Sequence, residues 1–146
     1  MKLYLDTCCL NRPLDDKSQA LVAVEAEAVL AILALCESGT ASLVSSDALL
    51  FEVERTPSRQ RKAFVSGVLG LAATTILLTT EIEHRARDLA SRGIAALDAL
   101  HLASAEAAGA DYFCTCDVRL FKKARSQNDL SVAVRTPLEL VQEIIQ

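Results

Sequence analysis

Short apolar, β-branched segments alternate along this chain with longer helical ones, and no other feature of the sequence constrains the fold as strongly. Residues 2–6 read as a strand that ends at an acid, Asp6, followed by a loop in which Asn11-Arg12-Pro13 and Asp15-Asp16 supply turn chemistry. Ser18 then caps a long helix running through Ser38, with Leu21, Val24, Ala28, Ile32 and Leu35 on the helical period and Gly39 as its stop. Residues 41–45 form a second strand, and Ser46 or Asp47 caps a short helix carrying Glu52 and Glu54, which Thr56-Pro57 breaks. A basic helix covers about residues 58–70, a third strand 74–78, and a capping box at Thr80-Glu81-Ile82-Glu83 opens a helix that stops at Gly93. The period predicts a helix over 96–108, a strand over 112–115, a helix after Asp117 and a last strand near 132–134. Thr136-Pro137-Leu138-Glu139 places a cap, a first-turn proline and a box glutamate at the start of a terminal helix.

Strands that alternate with helices pair in parallel and are covered on both faces, because each crossover helix lies against the sheet. The expected fold class is therefore α/β, a three-layer α/β/α arrangement with a mostly parallel sheet of about five strands. A chain of 146 residues is of a size for one core, so a single domain over 1–146 is expected. Aromatics are only 4% of a chain that is 51% hydrophobic, so Leu, Ala, Val and Ile must build that core.

No apolar run approaches the roughly 18 residues needed to span a bilayer, and Met1-Lys2-Leu3-Tyr4-Leu5-Asp6 turns acidic too soon for a signal peptide. A cytoplasmic protein is expected. Cys8, Cys9, Cys36, Cys114 and Cys116 form no C-x-x-C pair, and their odd number argues against a disulfide framework. Adjacent Cys8 and Cys9 are poorly placed to take two corners of a zinc tetrahedron, so the cysteines read as reduced thiols that fill space. A net charge of −4 excludes wholesale coating of nucleic acid. Any RNA contact must be local, at Arg55, Arg59, Arg61 and Lys62 or at Arg119, Lys122, Lys123 and Arg125, each of which also reads as a solvated helix face.

In open α/β sheets ligands bind beyond the carboxyl ends of the strands, where Asp6 and Asp117 both stand. Asp98 lies in Ile94-Ala95-Ala96-Leu97-Asp98-Ala99-Leu100-His101, among apolar neighbours; it is either a first-turn acid of its helix or a carboxylate facing a cleft. Glu52 is either an ordinary helix-surface glutamate or a member of the same group, and His101 reads as a structural histidine. A fold that concentrates carboxylates holds a cation among them or raises their pKa values, and oxygen-only donors select magnesium or manganese. Such an ion suits phosphodiester hydrolysis without covalent catalysis.

Leu5-Asp6-Thr7, Ser46 to Glu52, Asp98-Ala99-Leu100-His101-Leu102-Ala103, and Thr115-Cys116-Asp117 after Tyr112-Phe113 occur here in order over the whole length. In these residues the chain resembles the PIN-domain nucleases, and within them the VapC-like toxin ribonucleases and their small stand-alone bacterial relatives. The resemblance implies a metal-dependent endoribonuclease in which Asp6, Glu52, Asp98 and Asp117 hold Mg2+ or Mn2+. It assigns Thr7 or Thr115 to orienting a carboxylate or bound water. It further implies a homodimer, a small antitoxin partner and a toxin role, although the Asn11-Arg12-Pro13 loop departs from the usual toxin pattern. Arg12 either touches phosphate or anchors that loop. The competing reading is a non-catalytic PIN-like module that binds RNA or protein. An aspartyl phosphatase would want an acid where Cys8 stands, and a receiver domain would want one where Leu78-Thr79-Thr80 stands, so both are set aside.

Overall fold

The computed structural model describes residues 1–145. Its five strands, β1 (Lys2–Leu5), β2 (Ser42–Ser46), β3 (Thr74–Ile76), β4 (Tyr112–Cys114) and β5 (Ala133–Arg135), form one sheet in the order β3-β2-β1-β4-β5. Every pairing is parallel. The chain starts at the centre, steps out through β2 to β3, then crosses back to lay β4 against the other side of β1. That reversal makes the carboxyl end of β1 a topological switch point, where the crossovers diverge and leave a crevice.

Helices α1 (Thr7–Asn11), α2 (Ala20–Glu37), α3 (Asp47–Glu54), α4 (Arg59–Leu69), α5 (Thr80–Ser91), α6 (Ala96–Ala107), α7 (Val118–Arg125) and α8 (Pro137–Ile145) cover the sheet. Leu3, Tyr4 and Leu5 are all fully buried, which requires cover on both faces of β1 and produces the three layers expected. In register, Tyr4 sits beside Phe113, and their rings stack with centroids 5.4 Å apart. Gly93 (φ 96°) and Gly109 (φ 69°) bracket α6, taking the left-handed turns that let a helix between two tight connections begin and end abruptly.

Three sequence expectations shift. The segment after Asp6 is no loop: residues 7–11 are helical because the Asp6 side chain accepts the Cys9 N–H at 3.0 Å and caps α1, and a 3-10 turn follows at Arg12–Leu14. Helix α2 is not capped by Ser18, whose own N–H donates to Asp16. Its buried face differs in part: Ala28 and Ile32 face inward as expected, together with Glu25, Ala26 and Val29, but Leu21 and Val24 are 58% and 48% exposed. Apolar residues run all the way round this helix, so its period selects no face, and an ion pair decides the rotation. The third shift is small. Thr79 rather than Thr80 caps α5, accepting the Ile82 N–H at 3.2 Å.

That ion pair joins Arg12 to Glu25 at 3.1 Å, with Asp15 3.0 Å from the same guanidinium and Arg61 closing on Asp15 at 2.8 Å. Arg61 also donates to the Leu14 carbonyl at 3.2 Å, so two arginines clamp the 11–15 segment between α2 and α4. Arg12 therefore anchors its loop. Among the described residues no helix is long and apolar enough to cross a membrane.

Removing one partner of a largely buried pair leaves the other charge uncompensated, so Glu25→Ala should destabilise the protein by about 3 kcal/mol. Arg61→Ala, at a more exposed pair, should cost about 1 kcal/mol or less. Urea unfolding of both variants checks this, and equal losses would mean that the Arg12–Glu25 pair does not set the seating of α2.

Candidate active site

Asp6 follows the last residue of β1 in an extended conformation, and its backbone N–H donates to the Cys114 carbonyl at 3.1 Å, extending the β1–β4 ladder by one step. This fixes the carboxylate at the switch point, only 3% exposed. Burial pushes its carboxyl up to about 6, against the opposing pull of the Thr115 hydroxyl, the Cys9 N–H and nearby His101. On the far side of the ladder, Asp117 caps α7 by accepting the N–H groups of Arg119 at 2.9 Å and Leu120 at 3.1 Å. Its own N–H donates to Thr115 Oγ1 at 3.0 Å. Fully buried Thr115 thus touches both strand-end acids, which gives it a specific positional role.

Asp98 sits in the first turn of α6, and His101 follows three residues later on the same face. Burial pushes the Asp98 carboxyl up; His101 draws it down, while Asp117 and Glu52 push it further up by like-charge repulsion. No hydrogen bond contributes to that balance. Glu52 reaches the same region from α3, which Ser46 caps by accepting the Leu49 N–H at 3.0 Å. Burial raises the Glu52 carboxyl, but the hydrogen bond to His101, the field of that ring and the Thr7 hydroxyl more than offset this and hold it below its ordinary value. Glu54 points outward to Lys62 at 3.3 Å, which separates the two glutamates that sequence left close together.

The acids come from the ends of β1 and β4 and from helices α3 and α6. Their fields overlap: Asp6, Asp117 and Glu52 all raise the Cys8 thiol, and Asp98 feels Asp117 and Glu52. Asp117 borders three cavities. One, of about 420 Å³, is lined by Asp98, Asp117, Ile94 and Leu120 with Arg119 and Lys123. Another, of about 390 Å³, adjoins Thr7, Cys8, Asn11, Arg12 and Arg61. Among the described residues no three His, Cys, Asp or Glu side chains draw close enough to hold one ion. The donor chemistry nonetheless fits a hard divalent cation, because the groups whose fields overlap are carboxylates and, among the described residues, no hydrogen-bond donor meets Asp98.

A family model described as PIN domain matches residues 3–126. The chain belongs to the PIN domain family. PIN domains are generally nucleases that use divalent metal ions. The fold of this PIN domain is similar to that of a chain in the crystal structure of VapBC2 from Rickettsia felis bound to a DNA fragment from their promoter. The likeness has a TM-score of 0.59 at 15% identity and covers 93% of this chain and 98% of that one. Curated protein sequences give no significant match.

Sequence reasoning offered Ser46 as a cap of α3 but did not find its contact with Tyr4 or any role for Tyr4, and it set His101 aside as structural. His101 is 1% exposed, with Nε2 2.6 Å from Glu52 Oε1 and Nδ1 2.7 Å from the Tyr4 hydroxyl. These contacts span 49 and 97 residues of sequence, so no local pattern encodes them. The thiols of Cys9, Cys114 and Cys116 also gather here, with Cys9 Sγ 3.6 and 3.4 Å from the other two, and all remain free. Cys9 and Cys114 fill buried space as expected, whereas Cys8 is exposed.

Asp6 gives a signed pH dependence. Its folded value of about 6 exceeds the ordinary 3.8, so the native state holds a proton that the unfolded chain releases between those limits. Its contribution is fully present below about pH 4 and is lost as pH rises through 6, a change of about 3 kcal/mol. Without divalent ions, Asp6→Asn should therefore gain stability relative to wild type by that amount between pH 4 and pH 8. Parallel stability profiles in urea would show that the Asp6 carboxylate is already compensated.

Proposed function

We propose that this PIN domain is an endoribonuclease that hydrolyses RNA phosphodiester bonds with Mg2+ or Mn2+ held by Asp6, Glu52, Asp98 and Asp117. The observation that carries the reading is Asp98: a half-buried carboxylate without a hydrogen-bond donor among the described residues, lining one cavity with Asp117 and pushed upward by Asp117 and Glu52. Acids left repelling one another around a cleft are compensated by a cation. When bound, the ion would supply an activated water and neutralise charge on the phosphodiester.

The chain's own residues do the rest. Thr115 orients Asp6 and Asp117 from beneath. Arg119 and Lys123 flank the larger cavity and offer phosphate contacts, a local basic wall of the kind a chain with net charge −4 needs to approach RNA. Arg61 and Arg12, occupied by Asp15 and Glu25, shape the opposite cavity more than they neutralise phosphate. The fold likeness to VapBC2 supports a place in a two-component pair; the reading extends to a toxin role, a homodimer and a small antitoxin that covers the acids. A cytoplasmic single-domain protein suits that role.

One observation favours a second reading, a non-catalytic module that binds RNA or protein: Asp6, Glu52 and Asp117 each already accept a protein hydrogen bond. Purified protein incubated with structured RNAs separates the two. Cleavage that requires manganese, stops with chelator and disappears in Asp98→Asn is the expected result. RNA retained intact at saturating metal would favour the binding module. Metal at about 100 times its dissociation constant should also add about 2.7 kcal/mol of stability, roughly 8 °C in Tm, and Asp98→Asn should lose most of that shift.

A further inference from the structure

Helix α3 is bonded to itself through a detour across the core. The Leu49 N–H donates to Ser46 Oγ at 3.0 Å, and Ser46 Oγ lies 2.7 Å from the Tyr4 hydroxyl on β1. That hydroxyl lies 2.7 Å from Nδ1 of His101 on α6, whose Nε2 lies 2.6 Å from Oε1 of Glu52, back on α3. Ser46 and Tyr4 are fully buried and His101 almost so; of the four side chains, only Glu52, at the end, is partly exposed.

The hydrogen inventory gives this chain one direction. An ionised carboxylate can only accept, so Nε2 carries the hydrogen that meets Glu52. A neutral ring with Nε2–H presents Nδ1 as an acceptor, which the Tyr4 hydroxyl fills. The tyrosine oxygen then accepts from Ser46, whose oxygen already accepts from Leu49, and every link has one donor and one acceptor. The reverse direction would need a protonated Glu52, and a doubly protonated ring would donate from Nδ1 to the Tyr4 oxygen; either arrangement leaves one hydroxyl hydrogen of Ser46 or Tyr4 with no acceptor in this network.

A buried polar network of this length is unnecessary for packing. Tyr4 already stacks on Phe113 and meets the His101 ring edge-on with centroids 5.8 Å apart, contacts that phenylalanine at position 4 would preserve. What the hydroxyl adds is control of the imidazole, and what the imidazole controls is a half-buried glutamate on a flexible stem. We propose that Tyr4 and His101 are positioning residues, which fix one histidine tautomer and thereby hold the Glu52 carboxylate in its metal-binding orientation. The inference rests on the metal-binding role proposed for Glu52.

The test uses the full chain labelled with 15N, in wild-type form and as Tyr4→Phe, His101→Gln and His101→Leu. Long-range 1H–15N correlation reads the His101 tautomer, and the free-ion electron paramagnetic resonance signal reads Mn2+ affinity without any turnover. Wild type should show a single Nε2–H tautomer. Tyr4→Phe, with native amide dispersion, should show a mixture and bind Mn2+ roughly 10-fold more weakly. His101→Gln, whose side-chain N–H replaces Nε2–H, should keep most of the affinity that His101→Leu loses; this comparison decides if Tyr4→Phe fails to fold. Wild-type Mn2+ affinity in Tyr4→Phe, equal affinity in His101→Gln and His101→Leu, or an Nδ1–H ring in wild type would overturn the positioning role alone. A wild-type protein that takes up no Mn2+ would overturn the metal site itself and the positioning role with it.

Discussion

The Asp6 carboxylate has almost no access to water, because β1 is the central strand of a sheet covered on both faces and Asp6 continues its ladder by one hydrogen bond. A charge in that position must find partners within the fold. The Cys9 N–H supplies one and in doing so starts α1; Thr115, at the end of the neighbouring strand, supplies another while it also fixes the backbone of Asp117. The geometry of the crevice follows from these contacts. Two strand-end acids are held by one hydroxyl, and α3 and α6 bring Glu52 and Asp98 towards them from the other elements of the fold.

Electrostatics divides the basic residues into two kinds. Arg61 and Arg12 are bound to carboxylates and work as mechanical ties, and Lys62 pairs with exposed Glu54. Arg85 and Arg92 likewise share Asp88 and Asp129, with Arg85 also gripping Glu106 at 2.7 Å, which fastens α5 to α6 and to the turn before β5. Arg119 and Lys123 are of the other kind: they line the cavity beside Asp98 and Asp117, so positive charge stands next to the acids.

Much of the architecture was legible because it is written locally. The capping box at Thr136 and Glu139 forms in both directions, at 3.2 and 3.0 Å, and of the two caps the sequence offered for α3, Ser46 or Asp47, Ser46 takes the role. The alternation of strands and helices and the strand-end positions of Asp6 and Asp117 followed from such signals, whereas the strand order β3-β2-β1-β4-β5 was not written in them. Nor was the rotation of α2, since a helix apolar on every side carries no directional information and its orientation depends on Arg12 meeting Glu25. Helix α1 was missed for a related reason: five residues fold as a helix only because Asp6 caps them in tertiary context. Within the site, the isolated glutamates at 52 and 54 look alike in sequence, and only the contact with His101 distinguishes them.

Crystals soaked in Mn2+ and measured at the manganese absorption edge address the central claim most directly. An anomalous peak is expected between Asp6, Glu52, Asp98 and Asp117, with the Asp98 side chain turned towards it and Glu52 still bonded to His101, and no such peak in Asp98→Asn crystals. Full occupancy elsewhere on the molecule, or no peak at a manganese concentration that supports cleavage, would contradict it.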